Sequence, residues 1–254
     1  MRSAFLRPAV ALIAGLHLLS PPIASIASEE HSSTAHLPEP TMHESMHASP
    51  PEKPAILAPG YGPLSFVAPQ AGSYRLPSFG EAPNGEVLGE DGEPWSLHDA
   101  YSDKVVVLSF IFTTCHDING CPLATYVMQQ VQSALQRDPK IEDSVRLVSF
   151  SFDPELDTPE VIAAYGNHFR SPDSDWVFLT TTGAEMLQPT LDAYGQWVIR
   201  DYDESGAYLG TMSHILRVFL IDKQKRIRNI YSTSFLHADT VFNDIQTVLM
   251  QPDP

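Results

Sequence analysis

The 254-residue sequence holds only two cysteines, Cys115 and Cys121. They can make at most one disulfide, and a chain of this size buries enough core to fold without such a staple. The pair therefore invites a chemical explanation as well as a structural one. Basic residues are scarce too: 15 Lys and Arg stand against 31 Asp and Glu, a formal net charge of -16. They form no cluster, which makes nucleic acid and anionic membrane surfaces poor partners. A cationic cargo or a basic partner stays compatible with that charge, and so does plain solubility. Long apolar runs are missing as well. Beyond the N-terminus no stretch is long enough to span a bilayer.

What is present begins with a leader. Residues 1–27 have the layout of a secretory signal: Arg2 and Arg7, then the short apolar run Ala9 to Leu19, then Pro21 and Pro22, then the small-residue site Ser25-Ile26-Ala27. An uncleaved membrane anchor ranks second, because His17 and the prolines keep the apolar stretch short. A secretory signal predicts a periplasmic or otherwise exported protein in an oxidising compartment. Residues 28–70 are rich in Pro, Ser, Glu and His without a sustained apolar period, and are expected to be a disordered tail. Residues 71–254 are expected to be the folded domain.

The domain opens with turn signals, Asn84-Gly85 and Asp91-Gly92, that predict an N-terminal hairpin extension. From Val105 the pattern alternates. Val105 to Phe112 is a nearly continuous apolar run, as a strand buried on both faces requires. Pro122 to Arg137 has Leu123, Val127, Val131, Ala134 and Leu135 on one helical face. Val145 to Phe152 is a second strand. Asp157-Thr158-Pro159-Glu160 starts a helix lined by Val161, Tyr165 and Phe169. Trp176 to Leu179 is a short strand, Gly183 to Tyr194 a helix, and Val198 to Tyr208 a hairpin excursion. Ile215 to Ile221 and Ile227 to Tyr231 are the last strands, and Ala238 to Met250 the closing helix. The order predicts an α/β domain with a central sheet covered by helices. A terminal hairpin followed by a helix is the ending that a thioredoxin-like sheet uses.

The sharpest feature is Thr113-Thr114-Cys115-His116-Asp117-Ile118-Asn119-Gly120-Cys121-Pro122, placed where a buried strand turns into a helix. Cys121 would sit at the helix N-terminus, whose free N–H groups and dipole favour a thiolate. A thiolate is both the nucleophile of disulfide exchange and a soft metal ligand. Gly120 would let the loop fold back to bring the sulfurs together. A static disulfide is the bland alternative.

This region resembles the Sco/SenC family of cytochrome-oxidase assembly proteins, which carry a Cys pair ending in Cys-Pro after a strand, and a distant His. Phe152-Asp153-Pro154-Glu155 with Asp157-Thr158-Pro159-Glu160, Asp175 to Thr180, and Ser213-His214 ahead of Val218 to Asp222 are similar to family segments in the same order. The likeness runs from about Gly72 to Met250. It implies a thioredoxin-like fold and a copper site whose ligands are Cys115, Cys121 and His214. Two thiolates and one imidazole suit Cu(I), and an added oxygen ligand could accommodate Cu(II). The implied role is a copper metallochaperone whose partner is the oxidase subunit carrying the copper A centre, or another cuproprotein. The sequence departs from the family in one respect: five residues separate the cysteines where the usual motif has three.

A thiol-disulfide oxidoreductase acting on a partner's cysteines is the competing expectation, with Cys115 and Cys121 as the redox pair. The chain lacks the Cys-x-x-Cys spacing typical of such enzymes. Met212 is either a soft neighbour of the metal or a packing residue, His116 a tuning or a solvated loop residue, and Asp153 a turn and cap residue. In the tail, His31, His36, Met42, His43, Met46 and His47 combine imidazole and thioether, a mixture that suits copper. A copper-collecting arm and a polar linker stay equally open there.

Overall fold

The computed structural model describes residues 61–251; the leader and the His/Met stretch of the tail lie outside them. The domain begins with an antiparallel hairpin, β1 (Glu86–Leu88) and β2 (Pro94–Ser96), turned at Asp91-Gly92. Asn84-Gly85 makes no turn of its own. It receives the short helix α1 (Leu97–Tyr101), whose His98 and Leu97 N–H groups donate to the Asn84 side chain and the Gly85 carbonyl. Next comes β3 (Val105–Ile111), buried at every residue as its apolar run demands. Helix α2 (Cys121–Gln136) and the turn α3 (Pro139–Glu142) carry the chain over to β4 (Val145–Ser151), parallel to β3 with Val105 opposite Val145.

Helix α4 (Pro159–Phe169) is capped by Thr158 and leads to β5 (Trp176–Leu179), parallel to β4. Its inward face differs from the expected one. Ile162 and Gly166 are buried, whereas Val161 is 39% exposed and Tyr165 and Phe169 flank the contact. Gly166 decides this: a Cβ there would stand 2.6 Å from the buried Phe178 ring, so only glycine lets the helix lie so close. Then follow α5 (Ala184–Ala193), a hairpin of β6 (Val198–Tyr202) and β7 (Tyr208–His214), strands β8 (Arg217–Ile221) and β9 (Ile227–Ser232), and α6 (Ala238–Met250). The five-stranded sheet runs β5-β4-β3-β8-β9, parallel on the β3, β4, β5 side and antiparallel from β3 to β8 and β9. This is the thioredoxin-like α/β sheet expected from the sequence, with β3 at its centre.

Residues 61–70, assigned above to the tail, already touch this domain. Tyr61 stacks on His237 at 5.0 Å and meets Tyr126 edge-on at 5.3 Å. The Pro69 carbonyl accepts from Asn243. Further on, Tyr74, Tyr231 and Asn229 all donate to the buried Asp244 carboxylate, tying the N-terminal strap to β9 and α6. No helix among the described residues is long and apolar enough to cross a membrane.

Candidate metal centre

The centre is built where β3 leaves the sheet. The buried carboxylate of Asp157 accepts the Thr113 N–H at 3.0 Å and the hydroxyls of Thr113 and Ser151, and so fastens the exit of β3 to the end of β4. Beyond it the Cys115 N–H donates to the Phe112 carbonyl. The Asp117 carbonyl then accepts the Gly120 N–H at 2.8 Å, and its Oδ1 accepts the Asn119 N–H at 3.0 Å. These turns fold the five intervening residues back on themselves. Cys121 starts α2 directly after Gly120, with Pro122 in the first turn.

The three residues expected as ligands are brought together. The Sγ atoms of Cys115 and Cys121 and a ring nitrogen of His214 all lie within 4.8 Å of one another. Both cysteines are free thiols, Cys115 at 9% exposure and Cys121 at 1%. His214 does not lead into the last apolar strand, as its position suggested. It ends β7, opposite Val198, so the hairpin excursion runs beyond the expected limit at Tyr208 and its second strand delivers His214. Its Nδ1 lies 3.0 Å from the Met212 carbonyl, which can only accept. Nδ1 therefore carries the proton, and Nε2, 3.6 Å from the Cys121 sulfur, is the ring nitrogen left with a free lone pair facing the cysteines. The rings of Phe112 and Phe152 hold the imidazole, with centroids 5.6 and 5.2 Å away.

The hairpin is itself fastened. Arg200 on β6, opposite Met212 on β7, reaches the buried Asp153 carboxylate at 3.2 Å and Glu155 at 3.0 Å. Asp153 thus does more than serve a turn: it is the anchor of the element that carries His214. Asp157 and Arg200 escaped the sequence analysis as site residues. Asp157 read as a helix cap, and nothing local marks Arg200; only a paired acid on a neighbouring segment could have suggested it.

Electrostatics reverse one expectation. The helix N-terminus was expected to favour a Cys121 thiolate, but burial pushes that thiol well up, and the adjacent Cys115 pushes it further. Cys115 is held far below the ordinary thiol range. The hydrogen bond from Cys121 is the main cause, opposed by burial and reinforced by His214 and backbone N–H groups. Burial disfavours a charged His214, yet its bonds to Cys115 and the Met212 carbonyl, with the nearby charges of Cys115 and Asp117, raise it overall. The reduced centre therefore carries its negative charge on the outer sulfur. Iodoacetamide is expected to alkylate Cys115 first. The rate should stay flat down through neutral pH and fall only as pH drops through the lowered Cys115 value. Peptide mapping after brief alkylation checks this, and initial labelling at Cys121 would contradict it.

An open cleft of roughly 350 Å³ fronts the centre, lined by Cys115, His214, Asp117 and Met212 among others. The Met212 side chain is buried on its wall. His116 is exposed at the rim and does not join the cluster. His168 packs edge-on to Phe169, His98 bonds the Ala82 carbonyl, and His237 caps α6. Two soft sulfurs and one imidazole fit a soft ion such as Cu(I) far better than Mg²⁺ or Ca²⁺.

Known proteins resemble this chain in sequence and fold. The family model described as SCO1/SenC matches residues 86–250, well over half of the chain. The SCO1 protein homolog of Bacillus subtilis (strain 168) is 34% identical over 91 residues, which cover 36% of this chain and 44% of that protein. The apo Sco1 protein of Thermus thermophilus superposes with a TM-score of 0.56 at 26% identity, over 71% of this chain and 97% of that one. ScoI of Arabidopsis thaliana, solved with copper bound, shares the fold with a TM-score of 0.56 at 20% identity, over 66% of this chain and 97% of that one. The matched span holds every part of the centre, from the β3 exit through both cysteines to His214, and the chain belongs to the SCO1/SenC family.

Proposed function

We propose that this protein is a copper metallochaperone, taking copper as cargo on Cys115, Cys121 and His214 and passing it on in the assembly of a cytochrome oxidase copper centre. One observation carries this reading: three donors of the right softness converge within 4.8 Å, and two of them, Cys115 and His214, line an open cleft. Copper bound to the Arabidopsis relative on the same fold supports it. The client is a subunit with a copper A centre or another cuproprotein. The signal-like layout of residues 1–27 supports work in the periplasm or another exported compartment. The chain's strong negative charge suits a cationic cargo.

A thiol-disulfide oxidoreductase is the second reading, favoured by the low-lying Cys115 thiolate beside the Cys121 thiol. In that reaction Cys115 attacks a partner disulfide, Cys121 resolves the mixed disulfide, two electrons pass to the partner, and the chain is left oxidised. Mixing the reduced, Cu(I)-loaded chain with an apo copper A domain separates the two. Copper transfer with both thiols still reduced is expected. A partner dithiol gained in step with a Cys115–Cys121 disulfide, with copper left behind, would overturn the metallochaperone assignment.

A further inference from the structure

The β6–β7 hairpin has two unlike faces. Successive residues of a strand point to opposite sides, and the inner side is fully employed. Val198 and Met212 pack on the core, Arg200 reaches Asp153, and His214 joins the cysteines. The outer side is apolar and open. Trp197, just ahead of β6, is 72% exposed, Ile199 63% and Leu209 57%, and Ile215 is exposed as well. Val198 pairs with His214, which sets Trp197 and Ile215 at the same end of the hairpin. Single exposed apolar residues are ordinary, but a group of them on one element marks a surface that meets a partner. Thr211 and Ser213 share this outer side, where their hydroxyls donate to Asp201 at 2.9 and 2.8 Å. The same two residues line the cleft in front of Cys115 and His214. The apolar face thus runs without a break into the mouth of the metal centre.

Charge selects the occupant. Between Trp197 and Ile215 the chain has three acids, Asp201, Asp203 and Glu204, and one base, Arg200, which is turned inward onto Asp153 and Glu155. The outer face is therefore an apolar centre bordered by negative charge. A second copy of this chain would bring its own strong negative charge against it, and an anionic membrane would repel it. We propose that this face docks the protein that exchanges copper with the centre, a partner whose own apolar patch is bordered by Lys and Arg. The inference rests on the metallochaperone reading and says where its client sits. Trp197 is the anchor, because large aromatic side chains carry most of the energy where proteins meet. The acids steer the approach. The hairpin is held ready: the Asp203 carboxylate accepts the Ser205 and Ala207 N–H groups and fixes the tip, and Arg200 fastens the strands, so little freedom is lost on docking.

The test follows Cu(I) leaving the full, reduced, loaded chain toward two acceptors in parallel, an apo copper A domain kept below saturation and a small chromophoric chelator. Trp197→Ala combined with Ile199→Ser is expected to slow transfer to the domain by roughly 30-fold or more, the loss that removing an aromatic anchor brings. Cu(I) affinity and the rate to the chelator should stay at wild-type values, because both side chains point away from the centre. Glu204→Lys, at the tip, should slow the transfer less and flatten its dependence on salt. Wild-type transfer by the double variant would overturn the docking face and leave the metallochaperone reading standing. Equal slowing toward domain and chelator would overturn it too, since the two residues would then act through the His214 site. A concentration-dependent dimer of the wild type that the double variant loses would give the face to a second copy. Binding to phosphatidylcholine vesicles lost in the same way would give it to a membrane, and either result overturns the proposal. A loaded wild-type chain that passes no copper to the domain would remove the metallochaperone reading itself, and this docking face with it.

Discussion

Cys121→Ser is expected to strip the reduced protein of its Cu(I), with affinity falling on the order of a thousandfold or more, about 4 kcal/mol. The change is close to isosteric, but it trades a soft thiolate for a hydroxyl that stays protonated and binds a soft ion poorly. Cys121 sits 1% exposed in the first turn of α2, and the other members of the cluster are Cys115 and His214. Cys115→Ser should lose as much. His214→Ala should lose less for Cu(I), because two thiolates alone hold that ion acceptably, and most of its affinity for Cu(II). Competition against a chromophoric chelator measures all three. Wild-type affinity in Cys121→Ser would move the copper to the His/Met tail. Binding must also displace the proton that burial keeps on the Cys121 thiol. The apparent affinity should therefore rise with pH, by up to about tenfold per unit for each proton released, until the raised Cys121 value is passed.

Much of this was legible in the sequence, and the limits follow from the physics of one-dimensional patterns. The apolar run of β3, the face of α2, the span of α6 and the strand of β4 all fell where periodicity put them, because burial on one face or both writes itself into residue spacing. The α4 face slipped by one residue. The stripe Val161, Tyr165, Phe169 is more apolar than the true contact through Ile162 and Gly166, and only proximity to Phe178 reveals what the glycine is for. The cysteine pair was visible at once, yet His214 stands 93 residues from Cys121 and was reached through family resemblance alone. Its placement on β7 depends on the Asp153–Arg200 pair, which joins segments 47 residues apart. The order of the two thiol pKa values was beyond spacing altogether. The helix dipole favours one sulfur and burial disfavours it, and which wins depends on a depth that the sequence does not state.

The same kind of long-range contact makes Asp157→Ala the most damaging single change expected away from the ligands. Asp157 is 1% exposed and makes no ion pair among the described residues; a buried carboxylate in that position survives on hydrogen bonds. It has three donors, the Thr113 N–H and hydroxyl and the Ser151 hydroxyl, and it lies just ahead of the α4 N-terminus, whose dipole favours a negative charge. Alanine leaves all three without an acceptor. The hydroxyls can turn elsewhere, but the Thr113 N–H is fixed by the backbone turn that follows β3. At about 1–3 kcal/mol for each buried group left unmet, the loss should reach roughly 3–5 kcal/mol. At about 2–4 °C per kcal/mol for a domain of this size, thermal unfolding of the apo protein should move down by some 6–20 °C. Asp157→Asn keeps an acceptor for the N–H and can donate to Ser151, so it should lose less than half as much. Copper must feel the change as well, because Thr113 is two residues from Cys115 and sets where that sulfur stands. Cu(I) affinity in Asp157→Ala, measured at a temperature where the variant is folded, should fall by about 10–100-fold, as when a group that orients a ligand is removed. A lowered melting temperature with undiminished copper affinity would mean that the Cys115 loop holds its shape through the Asp117 turns alone.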